Sequence, residues 1–165
     1  MSTTMTAEMP QQIASASPAT NRGFQVQPYL FFNGRCEEAV EFYRRALGAE
    51  VTMLARFKDN PEPPPPGGIP PDSENKIMHV SFRVGDTTVM ASDGGCNGEQ
   101  KFEGFSLSLT VPDADAAERA FASLDNGGRV EMPLTKTFFS PRFGMVEDRF
   151  GVSWMIYVAQ QHGLP

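Results

Sequence analysis

One order of elements is written twice along this chain: strand, helix, strand, strand, strand, over residues 24–93 and again over 105–160, joined by a linker at 94–104. The helices fix the match. Cys36, Ala39, Val40, Tyr43 and Leu47 recur at helical spacing and predict a first helix over 35–47, opened by Asn33 or Gly34 and closed at Gly48. Pro112-Asp113 predicts the start of a second, with Asp113 as N-cap and Ala117, Ala120, Phe121 and Leu124 inward. Tyr43 and Phe121 lie 78 residues apart, as do Pro28 and Ser106 at the start of the matching strands. Met90 and Met155 are 65 apart, because the first half carries a proline-rich insertion. A module this small cannot bury its sheet alone, so the two must combine, within one chain or between two.

Within the strands, alternation sorts the side chains onto two faces. IMHVSFRV, then Gly85-Asp86, then TTVMASD predicts two adjacent strands over 77–93. Met78, Val80, Phe82 and Val84 form an apolar face, and His79, Ser81 and Arg83 a polar one, extended by Thr88 and Ser92. In the second half Ser106, Ser108 and Thr110 alternate with Phe105, Leu107, Leu109 and Val111. Ser153, Met155 and Tyr157 likewise alternate with Trp154, Ile156 and Val158, which are assigned to the core. The remaining strands are expected over 25–33, 51–57, 129–138 and 142–147. Hydroxyls on a covered face need partners, and a polar ligand or ordered water can supply them.

Ser81, Arg83, Ser106, Ser108, Ser153 and Tyr157 are therefore the candidate ligand-binding residues. His79 is the candidate for acid–base work, because imidazole exchanges protons near neutral pH, and Arg83 beside it can hold a carboxylate, phosphate or enolate oxygen. A structural, hydrogen-bonded histidine is the competing reading. Glu147 is a second candidate base or lone metal ligand, with a surface role as the alternative. Asp148 is assigned to the amides of the turn at 148–151. Phe138, Phe139, Phe143 and Arg142 surround Ser140-Pro141 as an aromatic rim, read as core or interface before ligand.

Composition excludes several classes. With 14 basic against 20 acidic residues and no basic cluster, the chain lacks a nucleic-acid footprint. Cys36 and Cys96 form no CxxC pair, which fits free thiols in a reducing cytoplasm; Cys36 is expected inert on its helix and Cys96 exposed. No apolar run is long enough to span a membrane, and residues 1–23, read as a flexible tail, lack the apolar block of a signal peptide. Residues 58–75 carry seven prolines and two adjacent glycines and form a loop, either a lid or a plain insertion.

Four segments in order resemble the glyoxalase/bleomycin-resistance/dioxygenase superfamily, the vicinal oxygen chelate proteins. They are PYLFFNGRCEEAVEFYRRALGAE (28–50), IMHVSFRVGDTTVMASD (77–93), GFSLSLTVPD (104–113) and TFFSPRFGMVEDRFGVSWMI (137–156). The nearest likeness is to its PhnB-like branch, whose members often carry the name 3-demethylubiquinone-9 3-methyltransferase. The resemblance implies an α+β fold of paired βαβββ modules in a curled mixed sheet around a cavity. It also implies a homodimer, with exchanged or side-by-side modules.

Metal enzymes of the superfamily hold a divalent ion through His or Glu on the first and fourth strands of each module. Pro28, Ser106, Met90 and Met155 stand at the corresponding positions and supply neither imidazole nor carboxylate. No resident cofactor is expected, and a divalent ion on other ligands is left open. The expected function is binding of a small polar metabolite. The alternative is a superfamily enzyme of lyase, isomerase or oxygenase type using His79 or Glu147. Methyl transfer is not expected, because Asn33-Gly34-Arg35 runs straight into the first helix with no Gly-rich nucleotide loop.

Overall fold

The computed structural model describes residues 23–62, 72–94 and 99–160. The first module runs β1 (Tyr29–Phe31), α1 (Cys36–Leu47), β2 (Glu50–Arg56), β3 (Ile77–Val84) and β4 (Thr87–Ser92). The second runs β5 (Leu107–Val111), α2 (Ala114–Asp125), β6 (Arg129–Thr135), β7 (Phe143–Glu147) and β8 (Ser153–Val158). Each forms a four-stranded mixed sheet, in the orders β1-β4-β3-β2 and β5-β8-β7-β6. In each, the strand before the helix pairs in parallel with the last strand, and the other pairs are antiparallel. This is the expected α+β fold of paired βαβββ modules. The curled sheet takes the form of two sheets that do not close into a barrel.

Several boundaries fall inside the expected ones, for local reasons. β1 is three residues long, not nine. The start of the stretch before it is uncovered: Val26 is 99% exposed. β6 stops at Thr135 because the following turn bonds within itself. The Thr137 amide and hydroxyl both reach the Ser140 carbonyl, and the buried Ser140 hydroxyl lies against the carbonyls of Arg142 and Val158.

The helix starts differ in kind. Asp113 caps α2 as expected, accepting the Ala116 amide at 2.7 Å. At α1, Arg35 occupies the cap position without a side-chain cap bond. The acceptor comes from the end of β4: Asp93 takes the Cys36 amide on Oδ1 at 2.8 Å and the Ile77 amide on Oδ2 at 3.0 Å. One carboxylate thus satisfies a helix-terminal donor and a strand-end donor together.

Both helices and the inner faces of both sheets bury their apolar side chains in one core. From module one come Val40, Phe42, Tyr43, Val80 and Phe82; from module two come Leu124, Val146, Trp154 and Ile156. Tyr43 joins the halves. Its ring stacks on Phe82 at 5.8 Å and meets Trp154 at 5.5 Å, and its hydroxyl donates to Asp148 Oδ2 at 2.7 Å. Asp148, 2% exposed, also accepts from Trp154 Nε1 at 2.9 Å and from the amides of Phe150 and Val152 at 2.8 and 3.1 Å. Its turn role is as expected, and the two side-chain donors are additional. Burial holds its carboxyl above the usual value despite these donors. Cys36 is fully buried and burial pushes its thiol well up, which fits the expected inert thiol.

Among the described residues no helix is long and apolar enough to cross a membrane. The tail expected at 1–23 falls, save for Gly23, outside the described residues, as do 63–71 of the proline-rich loop and Cys96.

Candidate functional site

β3 carries the expected division of faces. Val80 and Phe82 are buried against the core, while His79, Ser81 and Arg83 lie on the open side. Register brings other strands alongside: Tyr29 of β1, Met90 of β4, Ser81 of β3 and Met53 of β2 form one row across the sheet. His79 is held at both ring nitrogens. Nδ1 lies 2.9 Å from the Tyr29 hydroxyl and Nε2 lies 3.1 Å from Ser81 Oγ.

A neutral imidazole donates through one nitrogen and accepts at the other, and either tautomer suits partners that are both hydroxyls. Partial burial keeps the Tyr29 phenol above its ordinary value, so it stays protonated and able to donate at neutral pH. Phe31 packs beside Tyr29 at 5.0 Å. The result is a three-member polar chain on a surface otherwise built from Phe31, Met53 and Met90.

Sequence reasoning missed Tyr29. It placed Pro28 opposite Met90 by aligning the helices, whereas Tyr29 and Met90 are the paired residues. Pro28 meets Met90 through its backbone carbonyl, which accepts the Met90 amide at 2.9 Å. The signal was present in the alternation: Leu30 and Phe32 are buried, which sends Tyr29 and Phe31 to the other side.

Arg83 shares the open face but is not available beside His79. Its guanidinium pairs with Glu50 at 2.7 Å and is half exposed, so the expected role on a ligand oxyanion does not match its present partner. Glu147 is likewise engaged, by Arg129 at 3.1 Å.

The second sheet brings its serines together. Ser106 Oγ and Ser153 Oγ are 2.7 Å apart, and Ser153 donates to Glu131 at 2.8 Å, so Ser106 is the donor to Ser153. Ser108 pairs with Met155 in register and Thr110 with Tyr157. The Tyr157 hydroxyl makes no hydrogen bond among the described residues, and its ring is half-buried. Trp154 is core, as expected. Phe139 meets both Phe138 and Phe143 edge-on at 5.1 Å, but Phe138 is 94% exposed, so the rim is a surface feature and not core.

The candidate residues do not converge in one cavity. The inner faces of both sheets share a core, and their open faces look away from it. His79 with Tyr29 and Ser81 forms one cluster; Ser106 with Ser153 and Glu131 forms another. A cleft of about 490 Å³ lies between β5 and the β3–β4 turn, and of the expected site residues it is lined by Ser106 and Ser108 only.

Tyr29, not Pro28, is paired with Met90, and Ser108, not Ser106, with Met155, and none of these four paired side chains supplies imidazole or carboxylate. Among the described residues no three His, Cys, Asp or Glu side chains gather as a ligand set.

Known proteins place the chain. It is 36% identical to Protein YjdN of Escherichia coli K12 over 143 residues, covering 82% of this chain and 96% of that protein. Among solved structures, protein PA1353 from Pseudomonas aeruginosa is 42% identical with a TM-score of 0.72, covering 84% of this chain and 99% of that one. A PhnB protein from Bacillus cereus is 28% identical with a TM-score of 0.67, covering 82% and 100%. For the fold alone, a glyoxalase-related enzyme from Fulvimarina pelagi matches at 19% identity and a TM-score of 0.52, covering 81% and 87%. The pattern described as 3-demethylubiquinone-9 3-methyltransferase matches residues 24–157, nearly the whole of both modules, and the chain belongs to that family.

Proposed function

We propose that the protein binds a small polar metabolite on the open face of the first sheet, with Tyr29, His79 and Ser81 as the recognition groups. The observation that carries this reading is the hydrogen-bonded chain from Tyr29 through His79 to Ser81, set among Phe31, Met53 and Met90. All three groups can donate or accept, so together they suit a ligand bearing hydroxyl, carbonyl or carboxyl oxygens. The thioethers and the Phe31 ring provide an adaptable apolar bed around them. Turnover is the second reading, favoured by the imidazole itself. It requires a substrate to displace Ser81 from Nε2 before His79 can take a proton.

The open faces expose Phe31, Met53, Met132 and Phe138, and a second copy of the chain is the partner proposed to cover them. No resident metal is part of this reading, and a cytoplasmic setting suits the thiols. The methyltransferase description is taken as a family label, since neither sheet has a Gly-rich loop after its first strand and each contains a single parallel pair.

Native mass spectrometry of protein purified without chelator or affinity metal tests this reading, with elemental analysis of the same sample. A metal-free dimer retaining a small polar molecule, lost in His79→Ala at unchanged circular dichroism, is expected. A stoichiometric divalent ion, or retention of the molecule by His79→Ala, would overturn it.

A further inference from the structure

The two helices meet along a groove of about 370 Å³ lined by Phe42, Arg45 and Ala46 of α1, Ser123 of α2, Asn126 at the end of α2, and Arg149 in the turn between β7 and β8. Its lining holds hydrogen-bond donors on four side chains and no carboxylate. Six of the nine described arginines are ion-paired: 35, 44, 56, 83, 129 and 142. Of the three that are not, Arg45 and Arg149 line this groove. In a chain of net charge −6 that pairing is unexpected on composition alone.

Arg149 is fixed in place. Its Nε and Nη2 donate to the Asn126 carbonyl at 2.9 and 2.6 Å, and its guanidinium lies 4.8 Å from the Phe42 ring centre. Gly127, at φ +81°, allows this approach, since a Cβ there would stand 3.3 Å from Arg149 Nε. Arg45 spends one donor, Nε to the Glu41 carbonyl at 3.2 Å, and keeps its two terminal nitrogens. Glu38 feels the Arg149 charge, but its oxygens are already taken by Arg35 at 2.9 and 3.0 Å. Both helices end here, and each carbonyl end carries roughly half a negative charge. Two guanidinium charges therefore leave the groove with about one net positive charge.

We infer that this groove is an anion site for a phosphate group, on the helical side of the molecule and separate from the His79 face. The donors favour phosphate over carboxylate: the two terminal nitrogens of Arg45, the remaining Nη1 of Arg149, the Ser123 hydroxyl and the Asn126 amide exceed what two carboxylate oxygens accept. The groove is also roomier than a bare phosphate needs, so the occupant is a phosphate carried on a small organic molecule.

Titration of the full chain with inorganic phosphate, followed by amide NMR and by calorimetry, tests the site, with sodium chloride at matched ionic strength and acetate as controls. Saturable binding is expected, with shifts at Arg45, Ser123 and Asn126, and with Arg45→Gln weakening it about tenfold. Arg45→Gln touches the core nowhere, and Ser123→Ala provides a second variant should the first prove unstable. Absence of saturation, equal response to acetate, or undiminished binding by both variants would each overturn the assignment.

Discussion

Replacing Tyr43 by Phe removes one oxygen from the centre of the shared core and leaves every ring contact possible. The hydroxyl is a neutral donor to a buried carboxylate, 2.7 Å from Asp148 Oδ2, and bonds of this kind contribute about 1.5–3 kcal/mol. Trp154 Nε1 and the amides of Phe150 and Val152 still hold Asp148 in the variant, so the loss should fall near 2 kcal/mol, within the range of ~1.5–3 for a charged partner.

Urea unfolding at pH 7 reads this as a midpoint about 1 M lower, taking a slope of roughly 1–3 kcal/mol per molar. Tyr157→Phe is the control, since its hydroxyl has no partner among the described residues, and should cost less than about 0.5 kcal/mol. The pH dependence has a definite sign. Asp148 is held above its ordinary value, so its contribution to stability is fully present below the unfolded value and is lost as pH rises through the folded one. Removing a donor that favours the ionised form raises the folded value further. The Tyr43→Phe penalty is therefore largest above that value and shrinks toward about 0.5–1.5 kcal/mol once the carboxyl is neutral. A loss below about 0.5 kcal/mol at pH 7, or a penalty that is the same at neutral and acid pH, would refute the reasoning.

Two further substitutions probe the scaffold. Asp93→Ala should cost about 1–2 kcal/mol by thermal unfolding and speed hydrogen exchange at the amides of Cys36 and Ile77, while the Ala116 amide, capped by Asp113, stays protected. Gly128→Ala drives a Cβ into the Glu147 carbonyl oxygen and to 3.1 Å from the Leu124 oxygen and Asp148 Cα. Backbone cannot yield as a side chain can, so a loss of about 2 kcal/mol and a melting temperature several degrees lower are expected in differential scanning calorimetry.

What the sequence made legible was local. Alternation placed Val80 and Phe82 inward and His79 and Ser81 outward, because one period of two governs a whole strand. Asp113 was readable as a cap because the amide it accepts lies three residues on. Asp93 was not, since the helix it caps begins 57 residues earlier. The same distance effect hid the Tyr43 donor to Asp148 and the Glu50 partner of Arg83, while the Trp154 donor, six residues on, depends on how the turn folds the last strand back. Of the candidate site, the sequence identified His79 and Ser81 but not the Tyr29 hydroxyl. It also assumed that the polar faces of the two halves meet, which depends on how the modules dock and not on any pattern within a strand.

The bond between Tyr43 and Asp148 spans 105 residues, and that separation bears on how the chain is made. During synthesis the first module emerges complete while its apolar helix stripe still lacks Val146, Trp154 and Ile156. Until those residues arrive, Tyr43 is covered only on the side of Phe82 and the stripe stays part-exposed, a nascent surface of the kind that holding chaperones retain. Truncation before the last strand should therefore abolish the folded state of both halves together, giving an all-or-none dependence on the final strand.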